Sequence, residues 1–421
     1  MKKTLCFELL VLAVIALRPP SLRAAAKEKI LYQFTGGTDG GGPSSTLVMD
    51  PTGNLYGTTG VGGDLSQCSN YGCGTVFELT PSSKGQWKET VLYAFQGGSD
   101  GSYPGGNLVF DGSGNIYGTT SDGGTGTSCN QGCGTVFELS PAQDGSRTET
   151  ILYNFQGEPY GAGPAGLIFD TSRNLYGITR GGGNHNNGIV YELSPAKQRD
   201  GAWSENVLYE FSSQDGTLNP GLIFDNQGNL YGSYYVIDVQ FCSFGCGAVF
   251  ELKHANGQWT ETDLYDFLGG GNGGQPAAGV IRDSKGNIYG TAAEGGNNFG
   301  IVFEIRHSGG QWKESMLYNF CSRNNCADGA FPLAGLVMDG NGVLYGTTYW
   351  GGTCLYDCGG VVFKLARTKN VWKETVLHDF GGNSDGVSPQ ENLILDGRGN
   401  LYGVANGGSG SGAGIVFELT Q

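Results

Sequence analysis

The sequence is short of what helical and nucleic-acid-binding proteins need. Beyond its first twenty residues no stretch places apolar side chains at helical spacing, and Leu9–Leu17 is the longest apolar run. A helical bundle, a parallel sheet with crossover helices and a membrane protein of several spanning helices are therefore excluded. Histidine and methionine are scarce, with four of each. Basic residues number 24 against 39 acidic ones, for a net charge of −15. Such an acidic surface repels a phosphate backbone, so no nucleic-acid partner is expected. Neither the H-E-x-x-H zinc motif nor a phosphate-binding loop ending in Gly-Lys occurs.

What is abundant is glycine, 77 residues, together with 38% hydrophobic and 11% aromatic residues. A disordered glycine-rich chain would lack the aromatics, so the composition describes a folded, turn-dense protein. The first 26 residues read as a signal peptide. Lys2 and Lys3 precede an apolar stretch too short to span a bilayer, and Ala24-Ala25-Ala26 supplies the small residues of a cleavage site. Retention of this segment as an anchor is the alternative, and Cys6 lacks the small residues that precede a lipoprotein cysteine. Cleavage takes away four basic residues and one acidic one, which moves the net charge to −18. The expected location is extracellular or periplasmic, with no membrane span after cleavage.

The rest of the chain repeats. E-x-x-[LI]-Y-x-F, or a near variant, runs from Glu28 to Phe34, Glu89 to Phe95, Glu149 to Phe155, Glu205 to Phe211, Glu261 to Phe267, Glu314 to Phe320, and Glu374 to Phe380, where His378 replaces the Tyr. G-N-[LI]-Y-G, strict or varied, begins at Gly53, Gly114, Arg173, Gly228, Gly286, Gly342 and Gly399. G-x-V-F-E-L and its variants begin at Gly74, Gly134, Gly188, Gly247, Gly300, Gly360 and Gly414. A short apolar run ends at Asp50 and at its six counterparts. Each unit thus holds four candidate strands, called A (ending at Asp50 in the first unit), B (Asn54 to Thr59), C (Gly74 to Leu79) and D (Trp87 to Phe95). Four short strands per repeat are the signature of a β-propeller. Beyond the leader the order begins with a lone D, Glu28 to Phe34, and ends with A, B and C. Pairing that first D with the last C closes a ring and leaves no open sheet edge. The fold expected is all-β: a seven-bladed β-propeller of four-stranded blades over residues 27–421. Its blades fall at about 35–95, 96–155, 156–211, 212–267, 268–320, 321–380, and 381–421 with 27–34. The D-x-x-G-N between A and B reads as a hairpin turn, since it lacks the further carboxylates of a calcium loop.

These units resemble the GloVer tandem repeat of bacterial extracellular proteins, whose modes of anchoring vary. The resemblance covers residues 28–421 and implies an exported bacterial repeat protein; it brings no catalytic residues with it. Some members carry a C-terminal sorting tail. This chain ends on strand C at Gln421, so covalent surface anchoring is not expected.

Ten cysteines lie beyond the leader, in close pairs: Cys68/Cys73, Cys129/Cys133, Cys242/Cys246, Cys321/Cys326 and Cys354/Cys358. An even count in an exported chain argues for disulfides, each closing a short loop and adding at most about 2 kcal/mol. Zinc would need four Cys or His ligands, and no histidine sits beside a pair.

A residue present in every blade cannot define one active site, so the recurrent Glu of strands C and D and the Trp that opens D read as structural. In a blade of alternating strands, the D–A and B–C loops emerge on one face. Blades that depart from the pattern put Tyr103, Arg180, His185, Tyr234, Tyr235, Asp238, Phe331, Tyr349, Trp350 and Tyr356 on that face. Aromatic rings beside Asn and Asp suit stacking on sugars or anchoring a protein. The expectation is a monomeric, non-enzymatic binding module for an extracellular glycan or protein. Two alternatives stand beside it. One is a carbohydrate-active enzyme, a glycoside hydrolase or polysaccharide lyase, using His185 with Arg180 or Asp238 with Asp357. The other is a structural envelope protein. No cofactor is expected. The recurring D-G-x-x-P of the D–A loops, as at Asp39 and Asp100, reads as a turn feeding strand A; the alternative is a ring of carboxylates that would hold a cation such as calcium or contact a polar ligand.

Overall fold

The computed structural model describes residues 26–196, 202–212, 215–236, 246–353, 359–381, 385–407 and 412–421. All but the last residue of the expected leader lie outside that set. The described chain folds into seven antiparallel sheets, each with the strand order A-B-C-D. In blade 1 these strands are Gly41–Pro43 continued by Val48–Met49 (A), Leu55–Val61 (B), Thr75–Pro81 (C) and Trp87–Ala94 (D). In blade 7 the first strand of the chain, Lys27–Gln33, takes the place of D against strand C, Ile415–Thr420. The pairing runs from Lys27 opposite Thr420 to Gln33 opposite Ile415, and the Phe34 N–H continues it to the Gly414 carbonyl at 3.0 Å. The termini therefore close the ring, and the protein is a seven-bladed β-propeller.

Propeller blades are covered on both faces, so their inner strands must be apolar throughout. The buried side chains sort into seven clusters, each drawn from two neighbouring blades. At the heart of every seam the Phe that ends strand D meets the aromatic of the next blade's strand C. Phe34–Phe77, Phe95–Phe137, Phe155–Tyr191, Phe211–Phe250, Phe267–Phe303, Phe320–Phe363 and Phe380–Phe417 have ring centroids 4.8–5.3 Å apart. Six of these seven pairs cross at 60° or more and the seventh at 53°, the edge-on sense that aromatic quadrupoles favour. The Trp side chains that open strand D, such as Trp203 and Trp312, pack half-buried against the same clusters.

This belt explains the glycine of Tyr-Gly in strand B. A Cβ on Gly118 would stand 2.5 Å from the Phe137 ring, and one on Gly403 would stand 2.6 Å from Phe417. Overpacking of this kind costs about 1–3 kcal/mol. Gly118→Ala should therefore lower the urea midpoint of unfolding by that amount of stability without changing the slope. An unchanged midpoint would mean that the seam can yield.

The A–B turns are built on one carboxylate. Asp50 Oδ1 accepts the N–H groups of Thr52 (2.8 Å) and Asn54 (2.9 Å), while Oδ2 takes the Asn54 side chain at 3.0 Å and the Tyr56 hydroxyl at 3.2 Å. Asp225, Asp283 and Asp396 repeat the set. The turn fills the carboxylate with its own donors and holds its pKa below the usual range at Asp50, Asp225, Asp283 and Asp396. The recurrent Glu of strand C sits beside this turn. Tyr56 also donates to Glu78 at 2.7 Å, and Tyr231 to Glu251 at 2.7 Å. In blade 6 Lys364 replaces that Glu and lies 5.2 Å from the Tyr345 ring centre instead.

Disulfides join Cys68 to Cys73, Cys129 to Cys133 and Cys321 to Cys326. Cys246 is also a half-cystine. Cys242, Cys354 and Cys358 lie outside the described residues. The bonds fit an oxidising compartment. Among the described residues no helix is long and apolar enough to cross a membrane.

Candidate functional site

The D–A and B–C loops do lie on one face, and backbone hydrogen bonds knit them into a ring. Within a blade, the B–C loop donates to the D–A loop: Gly63 N–H to Gly37 O at 3.0 Å, Gly124 to Gly98 at 2.7 Å, Gly183 to Tyr160 at 2.7 Å, and Gly352 to Cys326 at 2.9 Å. Between blades, the residue before the Pro of D-G-x-x-P donates back to the preceding blade. Tyr103 reaches Cys73 O at 2.9 Å, Phe331 reaches Phe299 O at 2.8 Å, and Ser388 reaches Gly359 O at 2.6 Å. In making that bond the residue takes a left-handed backbone, with φ of 54° at Tyr103, 55° at Phe331 and 53° at Ser388, and Gln275 at the same position of blade 5 shares it, with φ of 49°. Non-glycine residues adopt this conformation only where the surroundings enforce it, and such strain gathers at functional sites. Four different side chains are thus displayed from one enforced geometry around the face. Gln275 and Ser388 escaped the sequence reading because only the Tyr and Phe looked unusual there.

Blade 6 turns this display into an aromatic shelf. The Phe331 and Phe299 ring centres are 5.6 Å apart, and the Tyr349 N–H donates to Phe331 O at 2.9 Å. Trp350 and Ala330 exchange both backbone hydrogen bonds, at 2.7 and 3.1 Å. Tyr349 and Trp350 nevertheless remain 38% exposed each. Large rings held by a rigid backbone and left open to water are what a stacking platform requires.

The axis of the propeller holds a cavity of about 530 Å3, to which all seven blades contribute. Arg180 and Tyr235 line it at corresponding positions near the ends of strands B, Leu175–Gly182 in blade 3 and Leu230–Val236 in blade 4. Glu391, from the D–A segment of blade 7, lines it as well and was not singled out from the sequence. The signal was present: the position two residues before the A-strand Leu or Val is small or apolar in the other six blades, as at Gly106 and Ala278. Burial pushes the Glu391 carboxyl up to about 7, against the opposing pull of Arg180.

The remaining expected residues divide. His185 is exposed on the blade 3 loop, beside Asn187, whose side-chain amide donates to Asp215 O at 2.8 Å. Tyr103 is half-buried. Tyr234 is a correction: at 5% exposure it points into the seam, and its hydroxyl donates to Asp263 at 2.9 Å. Blades 1 and 2 fill that level with a Thr–Thr hydroxyl pair, Thr59–Thr75 and Thr120–Thr135, each at 2.9 Å. In blade 4 Tyr234 stands opposite Ala248, and the small partner leaves room for the ring. Asp238, Tyr356 and Asp357 lie outside the described residues.

A second set of unusual groups lies on the outer rim, where strands D of adjacent blades meet. Each D-strand Glu has one buried oxygen with no hydrogen-bond partner among the described residues: Glu28, Glu89, Glu149, Glu205, Glu261, Glu314 and Glu374. Desolvation pushes Glu28, Glu89, Glu149, Glu314 and Glu374 up to about 7, and raises Glu205 and Glu261 as well. The D–A Asp that opens the same blade adds repulsion, as Asp39 does for Glu89 and Asp100 for Glu149. Those Asp carboxylates are themselves occupied. Asp39 takes the Tyr32 hydroxyl at 3.0 Å and the Thr35 N–H at 2.8 Å, which makes it the cap of the D–A turn. In blade 3, where Tyr160 replaces the Asp, Tyr153 donates to Glu205 instead, at 2.7 Å. Where strands D of blades 6 and 7 meet, a histidine stands at the Tyr position: His378 Nε2 lies 3.5 Å from Asp385 and 3.9 Å from Glu28. Among the described residues no group of three or more His, Cys, Asp and Glu side chains is placed to hold a metal ion.

A closed propeller that displays variable side chains on one knitted loop face, around an axial cavity, defines the class. Its family follows from the sequence: a model described as the Gloeobacter/Verrucomicrobia repeat matches residues 21–147, 65–237 and 232–421, so the chain belongs to that family. A comparison with curated proteins gives no match. Among solved structures, a fungal alcohol oxidase with copper shares the fold at 12% identity and a TM-score of 0.55, over 94% of this chain and 76% of that one. A puromycin-hydrolysing peptidase from Mycobacterium tuberculosis gives 11% and 0.53; the match covers 89% of this chain and 51% of the peptidase, so this chain spans about half its length. A gluconolactonase from Xanthomonas campestris gives 12% and 0.43, over 94% and 89%. At these identities the likeness is one of fold alone.

Proposed function

We propose that this protein is an exported, non-enzymatic binding module that recognises glycans through its D–A/B–C loop face. The observation that carries the reading is the shelf of Phe331, Tyr349 and Trp350, whose backbone is pinned at both ends while two of its rings stay open. Sugar rings stack on such surfaces through their C–H faces, and neighbouring polar groups such as Asn297 on the blade 5 loop offer partners for hydroxyls. A rigid aromatic platform loses little conformational freedom on binding, which favours affinity. The acidic chain favours neutral glycans over polyanionic ones and disfavours nucleic acid. The leader-like N-terminus and the disulfides support an extracellular or periplasmic setting.

A glycan array probed with the purified protein tests the reading. Binding to a neutral oligosaccharide is expected, and Tyr349→Ala with Trp350→Ala should weaken it by roughly tenfold or more, the scale of losing an aromatic anchor. Retained affinity in the folded double variant would remove the shelf from the site. Release of new reducing ends from the bound glycan would replace a binding module with an enzyme.

A further inference from the structure

In a molecule of seven near-identical units, a small-molecule site must come from the positions where single blades depart from the rest. The axial cavity has two such departures of opposite charge, Arg180 from blade 3 and Glu391 from blade 7. Arg180 lies close enough to favour the ionised form of Glu391, yet the two form neither an ion pair nor a hydrogen bond. Glu391 is half-buried at the cavity wall. Among the described residues neither the Glu391 carboxylate nor the exposed Arg180 guanidinium has a protein counter-ion in contact, and a bound group of opposite charge would give each a charge-assisted hydrogen bond. The gap between them is complementary to a ligand that carries both charges. Beyond these two groups the wall is mixed: Thr46, Asn107, Asn219, Gln275, Gln390 and Asn392 are polar, and Ile168, Ile223 and Ile281, from consecutive blades, supply an apolar stretch. The volume, about 530 Å3, falls within the range of about 300–1,000 Å3 that small-molecule pockets occupy.

We propose that the axial cavity binds a zwitterion, an α-amino acid with an apolar side chain. Its carboxylate engages the Arg180 fork, its ammonium engages Glu391, and its side chain lies against the isoleucines. Arg is the residue suited to a bidentate carboxylate contact. The ligand adds no net charge to an acidic protein, so nothing in the long-range field opposes its entry. This site is separate from the aromatic shelf, and it stands or falls independently of glycan binding.

Calorimetric titration of the full chain with L-leucine, N-acetyl-L-leucine and L-leucinamide tests the proposal, since the second ligand lacks the ammonium and the third the carboxylate. Saturable binding of leucine is expected, with each derivative weaker by roughly tenfold or more. Arg180→Met should erase the preference for leucine over leucinamide, and Glu391→Gln the preference over N-acetyl-leucine. These ligand comparisons use the unaltered protein, so they decide the matter even if a variant folds poorly. Absence of leucine binding overturns the proposal, as does equal binding of all three ligands. A protein that binds glycans but not leucine keeps its shelf and loses this site; one that binds leucine but no glycan does the reverse.

Discussion

The melting temperature of this protein should fall, not rise, between pH 5 and pH 8. The seven rim Glu residues are the cause. In an unfolded chain each would titrate near 4.5, whereas in the ring five of them are pushed up to about 7 by desolvation and the other two are also raised. A carboxyl whose folded pKa is raised binds its proton more tightly in the native state. Its stabilising contribution is fully present below the unfolded value, and it is lost as pH climbs through the folded one. Glu391 adds to the same slope. The opposing groups act elsewhere or are few. The turn carboxylates Asp50, Asp225, Asp283 and Asp396, and the capping Asp328, are lowered, so their contribution is complete above the unfolded value of 3.8 and is lost only in stronger acid. His378, lowered by burial, works against the trend near its unfolded value of 6.5, but as one group against seven. The rim carboxyls are only about half enclosed, so solvent screening reduces each effect to on the order of 1 kcal/mol. A loss of a few kcal/mol across the set lowers the melting temperature of a chain this long by on the order of 5 °C. Scanning calorimetry at constant ionic strength checks the sign, and Glu89→Gln with Glu149→Gln and Glu314→Gln should flatten the slope. A melting temperature that climbs from pH 5 to pH 8 would show that the rim oxygens are solvated.

This acid preference was not legible in the sequence, and the reason is local. E-x-x-L-Y-x-F reads as an alternating strand. Each strand D, however, carries a register shift near its Leu, as between Ile30 and Tyr32 and between Ile151 and Tyr153. A bulge re-aims the side chains that follow it. The Glu and the Tyr on either side of it then face the seams in a way that simple alternation does not describe, and one Glu oxygen is left dry. The ring itself was legible, because repeats separated by tight turns and a lone D strand at one end admit few other closures. The aromatic belt was half legible: the Phe positions recur, but only the packing shows that the glycine of strand B is the space into which the neighbouring ring fits. Tyr234 misled because an aromatic in a broken motif looks like a display residue, when its true signal was the small Ala248 across the strand pair. Glu391 was missed because the search for exceptions followed the loops and not the axial row of small residues.

Loss of the first strand should cost more than any single side chain in the molecule. Strand Lys27–Gln33 supplies the whole outer edge of blade 7 and, with Leu31 and Phe34, part of the seam to blade 1. Without it, strand C of that blade would expose its hydrogen-bonding edge over Ile415–Thr420, and the fully buried Phe77 would lose its facing ring. An unpaired apolar edge is a template for association with other chains. A protein beginning at residue 36 is therefore expected to melt far below the intact ring, or to aggregate, and to regain its stability when a peptide spanning residues 26–35 is added in excess. Phe34→Ala isolates the seam from the edge: it keeps the strand and should cost about 3–5 kcal/mol, the usual range for emptying a buried aromatic site. Heat-induced unfolding of the three species in parallel gives the ranking. If the truncated protein melts with the intact one, blade 7 holds without its fourth strand, and the stability of the disc rests on seam packing rather than on closure.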